Sequence, residues 1–389
     1  MSFRATPRAA DESATVHRIG QLAESPVVLP SARRNDPLLV TKLAPPPLRR
    51  GSVSRPELLA RLDAGMAGRL TLISAPAGYG KSTLLSAWAS GCDLPVGWVA
   101  LDAGDSDPVR FWRYVIAALG ARSPEVSART GDVPAVVGDA PLEPAVAALI
   151  NALAGSTNRV VLVLDDYHLV ASEAVQRGVA FLIDYAPPQL HVVVSAREDP
   201  PLPLSRWRAQ GSLTELRAAE LRFSTAEAEQ LLRGVLRAPL PPEQVAALEE
   251  RTEGWAAGLH LAALALRDRA EPSRFVEAFS GSHRSVVDYL ADEVLAQFPA
   301  DVQAFLVETS LLDRLNGPLC DAVTGRAGSQ TLLEQLERAN VFLVPLDDER
   351  RWFRYHHLLS DVLREQRYTT AWLPVTGNAS PRSSGAVVG

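Results

Sequence analysis

The segment that most constrains the fold runs from Leu70 to Thr83 and reads Leu-Thr-Leu-Ile-Ser-Ala-Pro-Ala-Gly-Tyr-Gly-Lys-Ser-Thr. Its apolar start, Leu70 to Ile73, predicts a buried strand, and the residues from Thr83 to Ala89 predict a helix. Small residues between them let successive backbone N–H groups surround a phosphate at the helix N-terminus, where the macrodipole also favours negative charge. The segment therefore predicts a phosphate-binding loop.

Two side chains of this loop have expected roles. Lys81 is expected to reach the β- and γ-phosphates of ATP or ADP, and the Ser82 hydroxyl to hold Mg²⁺. Lys42 and Lys81 are the two lysines among 39 basic residues, and a compact ammonium suits this position better than a guanidinium. Ala75 stands where the usual pattern has Gly, so the entry turn must be one that an L-residue can adopt. The residues expected to bind phosphate are Ala75, Pro76, Ala77, Gly78, Tyr79, Gly80, Lys81, Ser82 and Thr83.

A second apolar run, from Arg159 to His168, ends in the acidic pair Asp165 and Asp166. Such a run predicts a central parallel strand buried on both faces, and ligands bind at the carboxyl ends of such strands. We expect Asp165 to bind Mg²⁺ and Asp166 to orient or activate an attacking water. The alternative is a strand that ends in a solvated acidic turn. The ordered pair of motifs favours a nucleotide site.

A third buried strand is predicted from Leu190 to Arg197. Arg197 lies one step past the strand end, at the edge where the phosphates are expected. A cation there can contact the γ-phosphate and, with Lys81, neutralise charge in the transition state, which makes Asp166, Lys81 and Arg197 the expected catalytic set. The alternative for Arg197 is a surface arginine that caps a strand.

Composition narrows the remaining possibilities. A length of 389 residues allows two to three domains, and 47% hydrophobic with 22% charged residues fits a soluble globular protein. The net charge of −6 provides no overall basic field for nucleic acid. Cys92 and Cys320 are too few for a metal cluster or a disulfide framework, and no membrane span or secretion signal is evident. These features predict a cytoplasmic protein.

The pattern along the chain predicts an α/β domain followed by helices. Residues 1–38 are expected to be disordered, 39–217 to form the α/β domain, 218–297 a helical domain, 298–367 a winged-helix-like domain, and 368–389 a disordered or aberrant tail. Residues 121–141 are expected to form a loop, and Arg284–Phe298 a single amphipathic helix. The segment Gly254–Leu266 is apolar nearly all round and is expected to be buried.

Seven motifs carry a family resemblance: Ala75–Ser82, Phe111–Tyr114, Leu164–His168, Ser195–Pro203, Thr252–Leu259, Asp288–Leu290 and Arg354–Leu358. In this order they resemble the nucleotide-binding module of MalT-like regulators, the large ATP-dependent LuxR-type transcription activators of the STAND class. The resemblance covers roughly residues 39–367. It implies a P-loop NTPase of the ASCE/STAND type with a parallel sheet, followed by a helical domain and a winged-helix-like domain.

The resemblance also implies roles for particular residues. Val53 and Arg55 are placed near the adenine, and Arg197 matches the sensor arginine. His356 or His357 is the candidate for contact with the β-phosphate of ADP, and the alternative for that pair is a packed interface histidine. Such regulators continue into a helical-repeat sensor and a LuxR-type helix-turn-helix that this sequence does not contain. We expect a truncated or frame-shifted product, or a genuinely short relative.

The function expected is an ATP-binding, slowly hydrolysing switch module of a transcription regulator, with self-association in the ATP state and transcription-regulatory partners. The alternative is a non-hydrolysing ATP-binding scaffold or a truncated remnant. A small-molecule kinase would need an acceptor-binding motif, and none is evident. Direct DNA binding is not expected, because Asp361 and Glu365 offset Arg364 and Arg367 on the candidate recognition helix.

Overall fold

The computed structural model describes residues 37–48, 51–130, 142–236, 238–267 and 272–370. Most of the segment expected to be disordered, and the tail beyond Thr370, lie outside these residues. A short 3-10 turn at Val40–Leu43 is the first described element. The last helix runs to Thr370, so the first residues of the expected tail belong to that helix.

A five-stranded parallel sheet forms the core of the α/β domain, in the order β2-β3-β4-β1-β5. Ser74 pairs with Ala196 and Ala100 pairs with Asp165, so the carboxyl ends of neighbouring strands lie at one edge. Strand β4 lies between the strand that precedes the glycine-rich loop and the strand that ends in the acidic pair. The strands are β1 (Leu70–Ser74), β2 (Val96–Ala100), β3 (Val160–Asp165), β4 (Leu190–Ala196) and β5 (Leu213–Arg217).

Helices cover both faces of this sheet because successive strand residues point to opposite sides. Ile73, Trp98 and Val163 pack with the first two helices, and Leu72, Val99 and Leu164 pack with helices on the other face. Full burial of each such side chain contributes roughly 1.5–3 kcal/mol. The helices of this domain are α1 (Pro56–Gly65), α2 (Lys81–Gly91), α3 (Pro108–Gly120), α4 (Pro124–Thr130), α5 (Glu143–Ala154), α6 (Glu173–Asp184) and α7 (Leu204–Ala209).

The remaining elements form a helical part and a winged helix that share a core with one sheet face. Strands β6 (Leu343–Pro345) and β7 (Phe353–Tyr355) pair antiparallel and precede the last helix. The helical part contains α8 (Ala218–Leu221), α9 (Thr225–Val235), α10 (Pro242–Thr252), α11 (Ala256–Leu266), α12 (Pro272–Ala278) and α13 (Arg284–Glu293). The winged-helix part contains α14 (Ala300–Thr309), α15 (Gly317–Thr324), α16 (Ser329–Arg338) and α17 (His357–Thr370).

Three expectations about single elements were wrong. Residues 121–141 were expected to be a loop, but their described part contains α4, which begins at Pro124 and buries Val126. Proline at a first helical position starts a helix instead of breaking it. The helix expected at Arg284–Phe298 ends at Glu293 and continues as a short 3-10 turn. The segment Gly254–Leu266 is not buried all round, because Leu264 is 40% exposed.

Candidate nucleotide-binding site

The glycine-rich loop joins β1 to α2 at the carboxyl edge of the sheet. Gly78 and Gly80 have φ values of 77° and 79°, in the left-handed region that glycine adopts at low cost. Ala75 is not among the residues with positive φ, so the entry turn suits an L-residue. Lys81 is the first residue of α2, and Ser82 and Thr83 continue its first turn, where backbone N–H groups have no partner within the helix.

Lys81 turns back into the loop. Its Nζ donates to the carbonyl oxygens of Ala75 at 2.7 Å and Pro76 at 2.9 Å, and the residue is buried. Burial lowers the pKa of Lys81 to about 8. A bound phosphate would offset this desolvation and favour the protonated ammonium of Lys81. Phosphate binding and protonation of Lys81 therefore favour each other.

The acidic pair lies beside the first turn of α2. The Ser82 hydroxyl donates to Asp165 Oδ1 at 3.0 Å, and the Ser195 hydroxyl also donates to that oxygen. Burial, followed by the charge of Asp166, raises the pKa of Asp165. A hydroxyl and a carboxylate at this separation are the hard oxygen ligands that Mg²⁺ prefers. The donor set therefore fits the expected metal.

Asp166 and His168 occupy the turn that follows β3. Asp166 has a φ of 58° and its backbone N–H donates to Ser195 Oγ at 3.1 Å, while its side chain is 42% exposed. His168 Nδ1 lies 4.0 Å from Asp166 Oδ1, and the His168 side chain is 8% exposed. Burial, with the positive charges of Arg197 and Lys81, lowers the pKa of His168 to about 3. The sequence interpretation gave His168 no role of its own.

Arg197 connects the sheet edge to the helical part. Its guanidinium donates to the backbone oxygen of Glu293 at 3.0 Å and to Glu293 Oε2 at 2.7 Å. Asn340 Nδ2 donates to the Arg197 backbone oxygen at 2.8 Å and to Ser74 Oγ at 3.2 Å. In this conformation Arg197 is an ion-pair partner of the last residue of α13, which neither of the two sequence alternatives described.

The helical part rests directly on the phosphate-binding loop. Trp255 Nε1 donates to the Ala77 carbonyl oxygen, and the Ala257 N–H donates to the Gly78 carbonyl oxygen, both at 3.0 Å. A Cβ added to Gly78 would lie 2.6 Å from Ala257 Cβ and 2.9 Å from the Tyr289 hydroxyl. Sequence reasoning assigned no function to Trp255 or Tyr289, although both lie in motifs that carry the family resemblance.

His356 and His357 have different surroundings. His356 is buried, its Nε2 lies 3.0 Å from the Thr252 carbonyl oxygen, and its Nδ1 accepts from the Leu358 N–H at 3.3 Å. Burial lowers the pKa of His356 to about 4. Both of its nitrogens therefore have protein partners in this conformation. The His357 side chain is 59% exposed, and its Nδ1 lies 3.6 Å from Glu253 Oε1.

Arg55 and Val53, placed near the adenine by resemblance, lie where the chain enters α1. Arg55 Nε donates to Glu227 Oε1 at 2.9 Å, and its guanidinium lies 4.8 Å from the Phe223 ring centroid. It also donates to the Leu221 backbone oxygen at 2.7 Å. Val53 is partly buried against the core shared with the helical part. Arg55 thus fixes the entry of α1 against the α8–α9 connection.

The sheet, the loop and the appended winged helix define a P-loop NTPase fold. Among solved structures, the chain is similar to the Walker-type ATPase paby2304 of Pyrococcus abyssi, with a TM-score of 0.56 and 16% identity over 82% of this chain and 99% of that chain. Residues 291–371 match the MalT winged helix domain, which begins before the boundary expected at residue 298.

The sequence comparison is more specific. The chain is 36% identical over 333 residues to the HTH-type transcriptional regulator MalT of Cronobacter sakazakii, and 35% identical over 331 residues to that of Klebsiella pneumoniae. Each match covers 85% of this chain and 37% of the relative. The chain is therefore a MalT-like homologue, and it spans little more than a third of the length of these regulators. None of the described helices has both the length and the apolarity to cross a membrane.

Proposed function

We propose that this chain is an ATP- and ADP-binding switch module of a MalT-like, STAND-class transcription regulator. One observation carries the proposal. The loop that encloses the Lys81 ammonium is the same loop whose Ala77 and Gly78 carbonyls accept hydrogen bonds from the start of the helical part. A nucleotide that reshapes this loop acts directly on the elements that lead to the winged helix.

The geometry of the loop supports the following ligand contacts. In the loop from Ala75 to Thr83, the backbone N–H groups that follow Pro76 surround the phosphates, and Lys81 supplies the ammonium. Ser82 and Asp165 hold Mg²⁺, which supplies positive charge to the β- and γ-phosphates when bound. Val53 and Arg55 lie at the side of the domain where we place the adenine.

Hydrolysis is expected to be slow. Asp166 orients a water toward the γ-phosphorus, while Lys81 neutralises developing charge. Arg197 is held by Glu293 in this conformation, so the second cation reaches the γ-phosphate only after that ion pair opens. A switch depends on contacts that differ between its two states, and the Arg197–Glu293 pair is such a contact.

The proposed output is a change in assembly and not direct DNA contact. On α17, Arg364 donates to the Ser310 backbone oxygen at 2.8 Å and pairs with Asp313 at 3.0 Å. Arg364 is therefore engaged within the winged helix. The same helix also carries the acidic residues Asp361 and Glu365, so it does not present a basic surface to DNA phosphates. We propose that the chain acts in the cytoplasm, self-associates in the ATP state and works through transcription-regulatory partners.

The experiment compares two serines of α2. Ser82 donates to Asp165, whereas Ser86 is buried one turn later and its hydroxyl has no partner among the described residues. We expect the full-length chain and its Ser86→Ala variant to bind ATP more tightly with Mg²⁺ than without it in calorimetric titrations. The Ser82→Ala variant should lose most of that Mg²⁺ dependence. An unmodified chain that binds neither ATP nor ADP contradicts the proposal.

A further inference from the structure

Phe342 has a backbone conformation that an aromatic residue rarely adopts. Its φ is 51°, in the left-handed region, where the Cβ of an L-residue crowds the backbone. Asn340 has the same φ, but it lies in the turn that ends α16, where the Val341 N–H donates to the Leu336 carbonyl oxygen at 3.0 Å. Asparagine tolerates this position at the end of a helix. Helix capping therefore accounts for the conformation of Asn340 but not for that of Phe342.

The side chains of Asn340 and Phe342 both contact the α/β domain. Asn340 Nδ2 donates to the Arg197 backbone oxygen at 2.8 Å and to Ser74 Oγ at 3.2 Å, at the carboxyl ends of β4 and β1. Phe342 is 4% exposed, and its ring centroid lies 6.0 Å from that of Tyr79 in the phosphate-binding loop. Residues 340–342 therefore join the winged-helix part to the sheet edge and to the loop.

Contacts from the other two parts of the molecule also hold Phe342. Its ring lies 5.1 Å from that of Trp255 and 5.4 Å from that of His356, each in an edge-to-face arrangement. The His356 N–H donates to the Phe342 backbone oxygen at 2.8 Å. A strained backbone conformation persists only where the surrounding contacts enforce it. The positive φ of Phe342 is therefore enforced while the three parts are packed together, and their separation would let the backbone relax.

We propose that residues 340–342 form a strained latch, which fastens the winged helix to the α/β domain and stores backbone strain that opening releases. The Asn340 amide and the Phe342 ring hold the latch closed. A displacement of the loop or of the ends of β1 and β4 breaks these contacts, and release of the strain then favours opening. The inference rests on the proposed switch for what displaces the loop, whereas the latch itself is testable without nucleotide.

Hydrogen exchange of the full-length chain without nucleotide tests the latch, because exchange reports the opening of individual segments. Phe342→Ala and Phe342→Gly both remove the ring, and only glycine adopts the φ of 51° at low cost. We expect β6 and β7 to exchange roughly 10-fold faster in Phe342→Ala than in the unmodified chain, and more slowly in Phe342→Gly than in Phe342→Ala. Val341 is buried without a positive φ, so Val341→Gly should exchange at least as fast as Val341→Ala.

A second pair of variants tests the Asn340 amide separately from the backbone. Asn340→Gly keeps the left-handed conformation and removes the amide, so exchange of β6 and β7 should rise about 10-fold. Arg350→Gly is the control, because Arg350 has a φ of 56° in the exposed wing turn and pairs with Glu337 of the same part at 3.4 Å. Its exchange should match that of the unmodified chain.

Three results would overturn the inference. The first is exchange in Phe342→Gly as fast as in Phe342→Ala, which would mean that Phe342 is not strained in solution. The second is unchanged exchange in Asn340→Gly. The third is acceleration that extends equally to β3 and β4, which would mean that the winged helix does not open separately. If the expected differences appear in a chain that binds no nucleotide, the latch stands and the proposed function fails.

Discussion

Glu253 shows how one residue joins two parts of the molecule. It follows α10 with a φ of 49°, and its carboxylate accepts from both terminal nitrogens of Arg354 at 2.7 and 2.9 Å. Arg222, at the start of the helical part, lies 3.3 Å away, and the His357 backbone N–H donates at 3.1 Å. The carboxylate therefore ties the helical part to the winged helix, two residues before Trp255, which contacts the phosphate-binding loop.

This contact predicts an acid-sensitive stability. Burial alone raises the pKa of Glu253, but hydrogen bonds from Arg354 and the His357 N–H outweigh burial and lower it to about 2. Because the pKa of Glu253 is lower in the folded state than its ordinary value of 4.5, the ionised carboxylate stabilises the fold at pH values above 4.5. This contribution is lost as the pH falls toward 2. We expect Glu253→Gln to reduce the free energy of unfolding by about 2 kcal/mol at pH 7 and to flatten its pH dependence.

Urea unfolding between pH 2.5 and 7 measures this effect. Glu173→Gln is the matched control, because the Glu173 side chain is 92% exposed and its pair with Arg177 lies at the surface. That control should follow the unmodified chain at every pH. Identical pH dependence in Glu253→Gln and the unmodified chain would show that the Glu253–Arg354 pair does not form in solution.

The sequence predicted part of the site at residue scale. Lys81, Ser82 and Asp165 belong to motifs whose spacing reflects the chemistry, and the structure brings them together. The partners of Arg197 and the packing of His356 are long-range contacts that no local pattern encodes. The sequence singled out His168 only as part of a family motif. Its burial could not be predicted, because a single histidine in the turn after a strand belongs to no periodic apolar pattern.

At the scale of elements, α11 and the phosphate-binding loop form one packed unit. The helix begins at Ala256, directly after Trp255, and its first turn covers Gly78. Trp255 is fully buried, and its ring contacts those of Tyr289 at 5.5 Å and Phe342 at 5.1 Å. Through these rings, Trp255 links the loop by direct contact to α13 and to the winged helix.

Alanine substitutions at the two glycines of the loop distinguish the cost of backbone strain from the cost of disturbing the contact with α11. An alanine at Gly78 or Gly80 incurs about 1–2 kcal/mol of strain, since both positions have positive φ. Only at Gly78 does the added Cβ overlap neighbours, at 2.6 Å from Ala257 Cβ and 2.7 Å from Trp255 Nε1, whereas nothing lies within 4 Å at Gly80. We expect Gly78→Ala to lower the free energy of unfolding by about 2 kcal/mol more than Gly80→Ala does.

The free energies of unfolding of both variants, measured without nucleotide, test this prediction. The comparison needs no ligand, so it reports only on the contact between α11 and the loop. Equal losses in the two variants would show that the helical part is not docked on the loop in the free protein.

Elements with strong local patterns were the predictable ones. Strands β1 and β4 lie within one residue of their expected bounds, and the apolar run expected from Arg159 to His168 forms β3 only over Val160–Asp165. Strand β5 and helix α6 were not identified. The edge strand β5 reads Leu-Thr-Glu-Leu-Arg and is only partly buried, so its pattern is weak. Helix α6 did carry a signal, since Ser172 caps it and Val175, Val179 and Leu182 share a helical spacing.

For the whole molecule, we propose that nucleotide binding at one loop controls the arrangement of all three parts. The core is continuous from the sheet face that carries Ile73 to the winged-helix residue Phe353. No local sequence pattern predicts that continuity, because it depends on contacts between residues more than a hundred positions apart. The family resemblance supplied the domain order, and the structure supplies the contacts.

Thermal unfolding of the full-length chain, with Mg²⁺–ATP, with Mg²⁺–ADP and without nucleotide, tests this claim most directly. The two lysines of the chain make a matched pair of variants. Lys81 lies in the loop, whereas Lys42 lies outside it and pairs with Asp102 at 2.9 Å and with Asp105. A ligand at 100 times its dissociation constant stabilises the folded state by about 2.7 kcal/mol.

We expect both nucleotides to raise the unfolding temperature of the unmodified chain. Lys42→Ala should unfold at a lower temperature and keep the nucleotide-dependent increase, and Lys81→Ala should lose that increase. Full retention of the increase in Lys81→Ala, or no stabilisation of the unmodified chain by either nucleotide, would contradict nucleotide binding at this loop.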